Sequence, residues 1–412
     1  MKKLDYVIVG NSTAAVGCIE GIRSVDKAGP VTVVSREPYP AYSRPLISYL
    51  LCGETTEEKM RMRPADFYEK NGVNALLGKR AVRVDPGRKA VLLDGGESIP
   101  FDRLLIATGS RPFVPPMSGL ERVERKFSFL TLDDAKALGA ALTPESRVLI
   151  VGAGLIGLKC AEGIRDRAGT ITVVDLADRI LPSILDPRGS AMVRRHIESR
   201  GIRFLLGDSV AEFEKDRAHL KSGKTVGFDV LVVAVGVRPN TDLAAGAGCA
   251  VGRGIAIDER SATSVPGIYA AGDCCECTDV SSGQRRILAI LPNARLQGET
   301  AGVNMAGGEK SFANAVPMNA IGFFGLHVLT AGSYDGEAWV ETAPGVYRKL
   351  VVRDNRLVGF ILIGEIARAG IYTSLIRERT PLDSVDFELL KHKPQLMAFS
   401  AQRRAEKLGG AK

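Results

Sequence analysis

The chain is 412 residues long, with 45% hydrophobic and 25% charged residues, a composition typical of a globular protein of two or three domains. No apolar run approaches the roughly 18 residues of a membrane-spanning helix, and the apolar stretch near the start stops at Asn11, which argues against membrane insertion and against a secretory signal. Seven scattered cysteines fit a reducing compartment, so we expect a cytoplasmic protein. The net charge of +8 comes without a zinc-finger or helix-turn-helix pattern, so no nucleic-acid partner is predicted.

A first nucleotide-binding unit is predicted near the start of the chain. Tyr6 to Val9 favours a strand, Thr13 to Arg23 a helix and Val31 to Val34 a second strand. In such a unit the loop backbone and the helix N-terminus face a pyrophosphate, and an acid after the second strand can hold a ribose. The three glycine positions of this motif are Gly10, Ser12 and Ala15, and the acid is Glu37. The serine weakens the motif but is small enough to leave room for phosphate.

The second unit, Arg147 to Asp175, repeats the pattern with all three glycines, Gly152, Gly154 and Gly157, and with Asp175 closing the second strand. Two such units in one chain predict two bound nucleotides.

Three further segments follow these loops. Two of them are apolar strands that end in a small-residue turn, Leu104–Pro112 and Val232–Asn240. One follows each nucleotide loop, and they are interpreted as the corresponding exits of the chain from the two units, called paired exits here. The segment Thr263–Cys274 is extended and delivers Asp273 at its end, where a carboxylate can accept a hydrogen bond from a polyol hydroxyl.

These motifs (GNSTAA, ATGSRP, GAGLIG, VGVRPN and AAGDC) resemble, in order, those of FAD-dependent pyridine-nucleotide reductases with two dinucleotide-binding domains. The resemblance implies an α/β fold with two Rossmann-like FAD/NAD(P)-binding domains and a small C-terminal α/β interface domain. It implies that the first loop binds FAD and the second NADH. The expected bounds are 1–112 and 241–315 for the FAD-binding domain, 113–240 for the NADH-binding domain, and 316–412 for the interface domain with a basic tail.

The site residues follow from the same resemblance. The expected FAD-binding residues are Gly10, Ser12, Thr13, Ala14, Ala15, Arg36, Glu37, Arg44, Pro45, Val82, Ala107, Thr108, Gly109, Gly272, Asp273 and Asn293. The expected NAD-binding residues are Gly152, Gly154, Leu155, Ile156, Gly157, Asp175, Gly236 and Val237.

The segment Glu37–Glu54 is similar to rubredoxin and ferredoxin reductases and to the flavin part of nitrite reductases, in which the Arg-Pro pair lies beside the flavin. Arg44 is therefore a catalytic candidate that would favour the reduced flavin. Ferredoxin reductases commonly have a lysine five residues after that arginine, where this chain has Tyr49. Lys159, after the second loop, is the other catalytic candidate, although a solvated lysine is an equal alternative.

Cysteine chemistry is not expected to carry the reaction, because Cys52 stands alone where dithiol members have a pair, and the spacing of Cys274, Cys275 and Cys277 does not suit a metal or cluster. No metal site is predicted. Asp175 favours NADH over NADPH, with Arg179 as the counter-argument.

The predicted function is an NADH-dependent flavoprotein that exchanges electrons with an iron–sulfur or other electron-carrier protein, or with redox subunits of a larger complex. An NADH oxidase, peroxidase or disulfide reductase is the alternative among enzymes, and a non-catalytic assembly subunit is the alternative of another class. The oligomeric state is left open, a homodimer included. The basic tail, with Leu396, Met397 and Phe399 beside its charges, is either a mobile terminus or a partner-binding segment.

Overall fold

The computed structural model describes residues 4–409, which form two compact units. Unit 1 comprises residues up to Ser183, Ile197–Cys277 and Arg286–Phe312, and unit 2 comprises Ile184–His196, Thr278–Arg285 and the chain from Ala313 onward. The predicted α/β class, with Rossmann-like parts and a C-terminal domain, is confirmed.

The strands are, in chain order, β1 Tyr6–Val9, β2 Val31–Ser35, β3 Val73–Leu77, β4 Ala81–Asp85, β5 Ala90–Leu93, β6 Ser98–Pro100, β7 Arg103–Ile106, β8 Ser110–Pro112, β9 Lys126–Phe127, β10 Arg147–Val151, β11 Thr170–Asp175, β12 Ile202–Leu206, β13 Val210–Phe213, β14 Arg217–Leu220, β15 Thr225–Gly227, β16 Val230–Val233, β17 Val237–Pro239, β18 Ile255–Ala256, β19 Ile268–Ala270, β20 Cys275–Thr278, β21 Arg285–Arg286, β22 Met318–Phe323, β23 Leu326–Gly332, β24 Glu337–Ala343, β25 Val346–Arg353 and β26 Arg356–Ile363.

The helices are α1 Thr13–Val25, α2 Ile47–Leu51, α3 Phe67–Lys70, α4 Leu132–Ala141, α5 Leu155–Gly163, α6 Pro187–Glu198, α7 Asp242–Gly246, α8 Leu291–Met305, α9 Gly370–Arg377, α10 Phe387–His392 and α11 Ala401–Lys407. Short 3-10 turns lie at Arg44–Leu46, Leu120–Arg122, Arg165–Arg167, Leu382–Ser384 and Leu396–Ala398.

Two five-stranded parallel sheets form the framework of unit 1. The first has the order β19-β7-β1-β2-β3 and the second the order β12-β11-β10-β16-β9. Their central strands are apolar throughout because helices or loops cover both faces, as in β1, where all four residues are buried. The carboxyl ends of these strands carry the nucleotide loops, as expected for doubly wound sheets.

Helix α1 packs closely on α8, and glycines make this approach possible. A Cβ atom on Gly17 would lie 2.4 Å from the Arg295 carbonyl oxygen, and one on Gly298 would lie 2.0 Å from the Ala14 carbonyl oxygen. Larger side chains at these positions would push the helices apart. The pair fixes the start of α1, where the first nucleotide loop ends.

Unit 2 is built on a five-stranded antiparallel sheet of order β22-β23-β26-β25-β24. A tight turn at Asp354 and Asn355, which both have positive φ, at 50° and 56°, joins β25 to β26. The segment Ile184–His196, which was predicted within the NADH-binding domain, groups with this unit. Asp186 accepts hydrogen bonds there from the Tyr347 hydroxyl at 2.5 Å and from Lys349 Nζ at 3.0 Å.

The chain after Thr380 is folded on unit 2 as far as residue 409. Phe399 is 2% exposed in the core of this unit, and Lys407 pairs with Glu378. This part of the tail therefore packs on the core of unit 2, and its role in partner binding stays a prediction. Of the three apolar residues noted in the tail, Phe399 is buried and Leu396 is half-buried, so only Met397, at 66%, is exposed among them.

Candidate functional site

The first nucleotide loop begins where β1 ends. Gly10 has φ +114°, and a Cβ atom there would lie 2.1 Å from the Ala107 carbonyl oxygen, so both the backbone conformation and the available space require glycine. Its amide donates to the Val34 carbonyl at 2.8 Å, which ties the loop to β2. Ser12 is the N-cap of α1 and makes no side-chain capping bond. The first amides of α1 are consequently available to an anion.

A cavity of about 520 Å³ opens at this loop. It is lined by thirteen of the sixteen expected FAD-binding residues, namely Gly10, Ser12, Thr13, Ala14, Arg36, Glu37, Arg44, Val82, Ala107, Thr108, Gly109, Gly272 and Asp273. The other three do not line it. Ala15 and Asn293 are fully buried in α1 and α8, and Pro45 is exposed in the turn after Arg44.

Glu37 has partners that the sequence did not reveal. It lies two residues beyond the end of β2, where Ser35 occupies the strand end. Its carboxylate forms an ion pair with Arg44 and accepts a hydrogen bond from the Tyr42 hydroxyl at 2.6 Å. This carboxylate therefore orients Arg44 on the cavity wall. A ribose contact by Glu37 stays a prediction.

Asp273 lines the cavity from the loop after β19. Burial raises the pKa of Asp273, and the positive charge of Arg44 partly opposes this effect. A buried carboxyl group without a strong ion pair is costly in the folded protein. Such a cost is characteristic of a group kept for ligand binding.

The second loop repeats the geometry of the first. Gly152 has φ +117°, and a Cβ atom there would lie 2.3 Å from the Ala234 carbonyl oxygen. A Cβ atom on Gly157 would lie 2.0 Å from the Gly152 carbonyl oxygen, whereas one on Gly154 would meet nothing within 4 Å. Gly154 is the N-cap of α5, and Leu155 and Ile156 form its first turn. The space at Gly154 is open, and its role in binding the NADH pyrophosphate stays a prediction.

Asp175 closes β11, as predicted, and its carboxylate already accepts two backbone hydrogen bonds. The donors are the amides of Ala153 at 2.6 Å and Ala177 at 2.8 Å. The acid therefore shapes the loop, and the remaining lone pairs can accept further bonds. The apolar side chain of Leu176, the next residue in the chain, is 72% exposed. Val235 and Val237, which follow β16, are 37% and 36% exposed, with Gly236 at φ +127° between them.

The two exits contact each other directly, because β8 pairs with β17 in an antiparallel arrangement. The Thr108 hydroxyl donates to the Asn240 carbonyl at 2.7 Å, and the Asn240 side chain donates back to the Thr108 carbonyl at 2.9 Å. These two bonds hold the strand exit of the second nucleotide-binding unit against the wall of the cavity. Both nucleotide loops therefore lie within unit 1.

Lys159 does not line the cavity. Its ammonium group forms an ion pair with Glu162 and lies 4.3 Å from the centre of the Tyr49 ring. The sequence could not reveal this contact, because Tyr49 and Lys159 are far apart in the chain.

The cysteines are buried, except Cys52, which is half-buried. Burial raises the pKa of the half-buried Cys52 thiol. Cys274, Cys275 and Cys277 are buried, and the sulfur atoms of Cys274 and Cys275 lie 3.6 Å apart. No group of three or more His, Cys, Asp or Glu residues within 4–409 is arranged to hold a metal ion.

Several cavity residues were not predicted. Tyr42 precedes Arg44 by two residues, and Asn240 belongs to a motif that the sequence analysis quoted for another purpose. Lys79 and Arg80 follow β3, a strand that the sequence analysis did not assign. The short apolar run Val73–Leu77, directly before this basic pair, was the sequence signal that could have predicted their position at a strand end.

Comparison with known proteins places these features in a family. The model for "Pyridine nucleotide-disulphide oxidoreductase" matches residues 4–298, and the model for "Rubredoxin NAD+ reductase C-terminal domain" matches residues 317–380. No helix within the described part of the chain, 4–409, is long and apolar enough to cross a membrane.

The chain is 33% identical to the NADH-dependent phenylglyoxylate dehydrogenase subunit epsilon of Aromatoleum evansii, over 92% of each protein. It is 30% identical to the nitrite reductase [NAD(P)H] of Bacillus subtilis, where 93% of this chain matches only 48% of the relative. The chain thus spans about half the length of that enzyme. Among solved structures, the covalent putidaredoxin reductase–putidaredoxin complex matches with a TM-score of 0.87 and 24% identity, over 95% of this chain and 96% of the other.

The family model covers most of the chain, and the cavity is lined by the first nucleotide loop and by Gly272 and Asp273 of the AAGDC motif, while β8 and β17 join the strand exits of the two nucleotide-binding units. The chain belongs to the pyridine nucleotide-disulphide oxidoreductase family and is an FAD-dependent oxidoreductase that uses NADH.

Proposed function

We propose that this protein transfers electrons between NAD(H) and a protein partner with a one-electron centre, such as an iron–sulfur protein or the redox subunits of a larger complex. The observation that carries the proposal is the antiparallel pairing of β8 with β17, which joins the strand exits of the two nucleotide-binding units. No cysteine is among the residues that line the cavity. Bound FAD would supply the hydride chemistry and the conversion from two-electron to one-electron transfer.

The residues of this chain bind and orient. The amides at the start of α1 hold the FAD pyrophosphate, and Asp273 accepts from a ribityl hydroxyl. Arg44, oriented by Glu37 on the cavity wall, would lie beside the flavin ring of bound FAD, where a cation would favour the reduced form. The loop at Gly154 holds the NADH pyrophosphate, with Leu176 and Val237 as apolar contacts for its adenosine half.

The phenylglyoxylate dehydrogenase subunit supports a role within a larger complex, because it matches this chain over nearly its whole length. We infer that this chain is the NADH-linked flavin subunit of a related cytoplasmic oxidoreductase. Native purification followed by identification of co-purifying proteins tests this inference, and a protein that purifies alone from its own cells contradicts it.

The cofactors are tested on the purified protein. We expect a yellow protein that releases FAD on acid treatment, and anaerobic NADH should bleach the oxidised flavin absorption. A colourless protein that cannot be reconstituted with FAD would overturn the proposal.

The disulfide-reductase alternative is tested by Cys52→Ser. Because burial raises the pKa of this thiol, little thiolate forms near neutral pH, and we expect NADH-dependent dye reduction to change by less than about threefold. Abolished dye reduction in a variant that retains its FAD would restore the alternative.

A further inference from the structure

A tyrosine hydroxyl lies at the centre of a hydrogen-bond network on the wall of the FAD cavity. Tyr42 lines this cavity and is 6% exposed. Its hydroxyl donates to Glu37 Oε2 at 2.6 Å and accepts from the Leu132 backbone amide at 2.9 Å. Arg44 Nη1 approaches the same oxygen at 3.3 Å. The one donor and both lone pairs of the hydroxyl are therefore in use within the protein.

Several partners together hold Arg44 on the cavity wall. Its Nη2 forms the ion pair with Glu37, and its Nη1 donates to the Leu130 carbonyl at 3.4 Å as well as to Tyr42. The guanidinium carbon lies 5.3 Å from the centre of the Tyr42 ring, within the range of a cation–π contact. The bonds to Leu130 and Tyr42 are long, so the place of the guanidinium depends on the combination of its partners.

The start of α4 gives this network a fixed support. Thr131 is the N-cap of α4 and forms a capping box with Asp134, in which each side chain accepts from the backbone amide of the other residue. Asp134 also accepts from the Leu130 amide at 2.8 Å. These bonds fix the backbone that supplies the Leu130 carbonyl to Arg44 and the Leu132 amide to Tyr42.

The charge of Arg44 acts on other groups around the cavity. Burial raises the pKa of Asp273, which lines the cavity from another segment, and the positive charge of Arg44 opposes this rise. Charges in such a partly enclosed space interact more strongly than charges on the surface. A displacement of the guanidinium therefore changes the field in the cavity without a change in the net charge of the protein.

Tyr42 itself brings no charge to the cavity. Burial raises the pKa of its hydroxyl, which stays protonated near neutral pH and has no bond left for a ligand. We propose that Tyr42 is a positioning residue that fixes the Arg44 guanidinium on the cavity wall, so that its charge favours reduction of bound FAD. This inference rests on the proposed function, because it requires Arg44 beside the flavin of bound FAD.

A purely structural role for Tyr42 would have a different signature. If its hydroxyl only fastens the chain to α4, its loss lowers the stability of the protein, as the loss of any buried hydrogen bond does, and the potential of FAD stays the same. If it positions Arg44, its loss also makes flavin reduction less favourable. The midpoint potential of FAD therefore separates the two roles.

The experiment measures this potential in the purified holoprotein by anaerobic equilibration with reference dyes. Tyr42→Phe removes the hydroxyl, keeps the ring and changes no charge. It should make flavin reduction less favourable by about threefold in the equilibrium constant, which is about 14 mV for a two-electron couple, because the guanidinium loses one of its supports.

A second variant tests the same geometry from the other side. Arg44→Lys keeps the charge but not the planar fork that reaches Tyr42, Glu37 and Leu130 together, so it should shift the potential in the same direction by about threefold or more. In the Arg44→Lys background, Tyr42→Phe should add less than about half of its own shift, because the geometry that Tyr42 supports is already lost.

Tyr6 is a matched control. Its hydroxyl also donates to a carboxylate, Asp26 Oδ2 at 3.0 Å, and its side chain is 1% exposed. Tyr6 lies at the start of β1, whereas the cavity opens at the other end of that strand, and it is not among the residues that line the cavity. Tyr6→Phe should lower the unfolding temperature and keep the wild-type potential.

The proposal is overturned if Tyr42→Phe retains FAD and keeps or raises the wild-type potential, or if Tyr6→Phe shifts the potential equally far. Full additivity of Tyr42→Phe and Arg44→Lys also contradicts it, since Tyr42 would then act independently of Arg44. If Tyr42→Phe does not fold, Arg44→Lys decides, because an unchanged potential in that variant shows that the position of the charge has no effect. The potential is measured without a protein acceptor, so failure to find such an acceptor contradicts the proposed function and leaves these shifts unaffected.

Discussion

The two nucleotide loops share one backbone but differ in side chains at nearly every motif position. Gly10 and Gly152 have φ values of +114° and +117°, and a Cβ atom on either would lie 2.1 or 2.3 Å from a carbonyl oxygen of the neighbouring strand exit. The first glycine is thus required by the fold itself, whatever the loop binds.

The other two positions have different requirements. Ser12 and Gly154 are both helix N-caps with extended backbone, at φ −132° and −81°, so either residue can adopt the conformation. At the third position Ala15 is accommodated in α1, whereas Gly157 has no room for a Cβ atom. The middle glycine therefore serves the ligand, and the third serves the packing of its own helix.

The largest effect is expected at the first glycines. Gly10→Ala and Gly152→Ala place a Cβ atom against a carbonyl oxygen and force a positive φ on alanine, so each should lower the free energy of unfolding by about 2 kcal/mol or more. Thermal unfolding of the purified proteins measures this. Gly154→Ala, which meets nothing within 4 Å, is the matched control and should unfold close to the wild type. Equal destabilisation by all three substitutions would contradict the division of roles.

The two loops also differ at the strand that follows them, because β2 ends in Ser35 and β11 ends in Asp175. Asp175→Ser should reduce the preference for NADH over NADPH by about tenfold, because a carboxylate accepts from the ribose 2′-hydroxyl and repels a 2′-phosphate. Stopped-flow flavin reduction with each coenzyme measures the ratio. The loss of the bonds to Ala153 and Ala177 should slow both coenzymes, so only the ratio tests the role. An unchanged ratio would contradict it.

The sequence predicted the elements around both loops well because strand, loop and helix follow one another locally. Strand β1 begins and ends at the expected residues, β2 runs one residue farther and α1 two residues farther than predicted. Contacts between distant segments were not predictable. The ion pair of Glu37 with Arg44 depends on how the chain turns between them, and the cation over Tyr49 depends on the crossing of α2 and α5.

The first site, unlike the second, has a half-buried carboxyl group from a third segment, Asp273, among the residues that the structure describes. Asp273→Asn should weaken FAD binding by about tenfold, because an amide oxygen accepts a weaker hydrogen bond than a carboxylate. The FAD dissociation constant measures this effect.

Asp273→Asn should weaken FAD binding but should not lower the stability of the apoprotein. The folded-state pKa of Asp273 is raised by burial, so the stability that this group contributes is present below its unfolded pKa of about 4 and is lost as the pH rises through the folded value. The asparagine variant should therefore be at least as stable as the wild type at pH 7, and this advantage should vanish near pH 4. A variant that is less stable at pH 7 would show that Asp273 is structural.

The smallest effects are expected from exchanging the middle residues. Ser12 makes no capping bond, and a serine-to-glycine change at an N-cap costs only a few tenths of a kcal/mol, so Ser12→Gly should unfold like the wild type. Loss of one hydrogen bond to phosphate would weaken FAD binding by about 1 kcal/mol, or roughly fivefold.

Gly154→Ser also keeps the fold, since nothing lies within 4 Å of a Cβ atom there, but its side chain enters the space of the NADH pyrophosphate and should raise the KM for NADH several-fold. The two changes are reciprocal, so an unfolding temperature lowered by either one would show that the middle position supports the fold. An unchanged KM in Gly154→Ser would show that the space beside Gly154 exceeds what the dinucleotide needs, and the serine of the first loop would then be a neutral difference between the two sites.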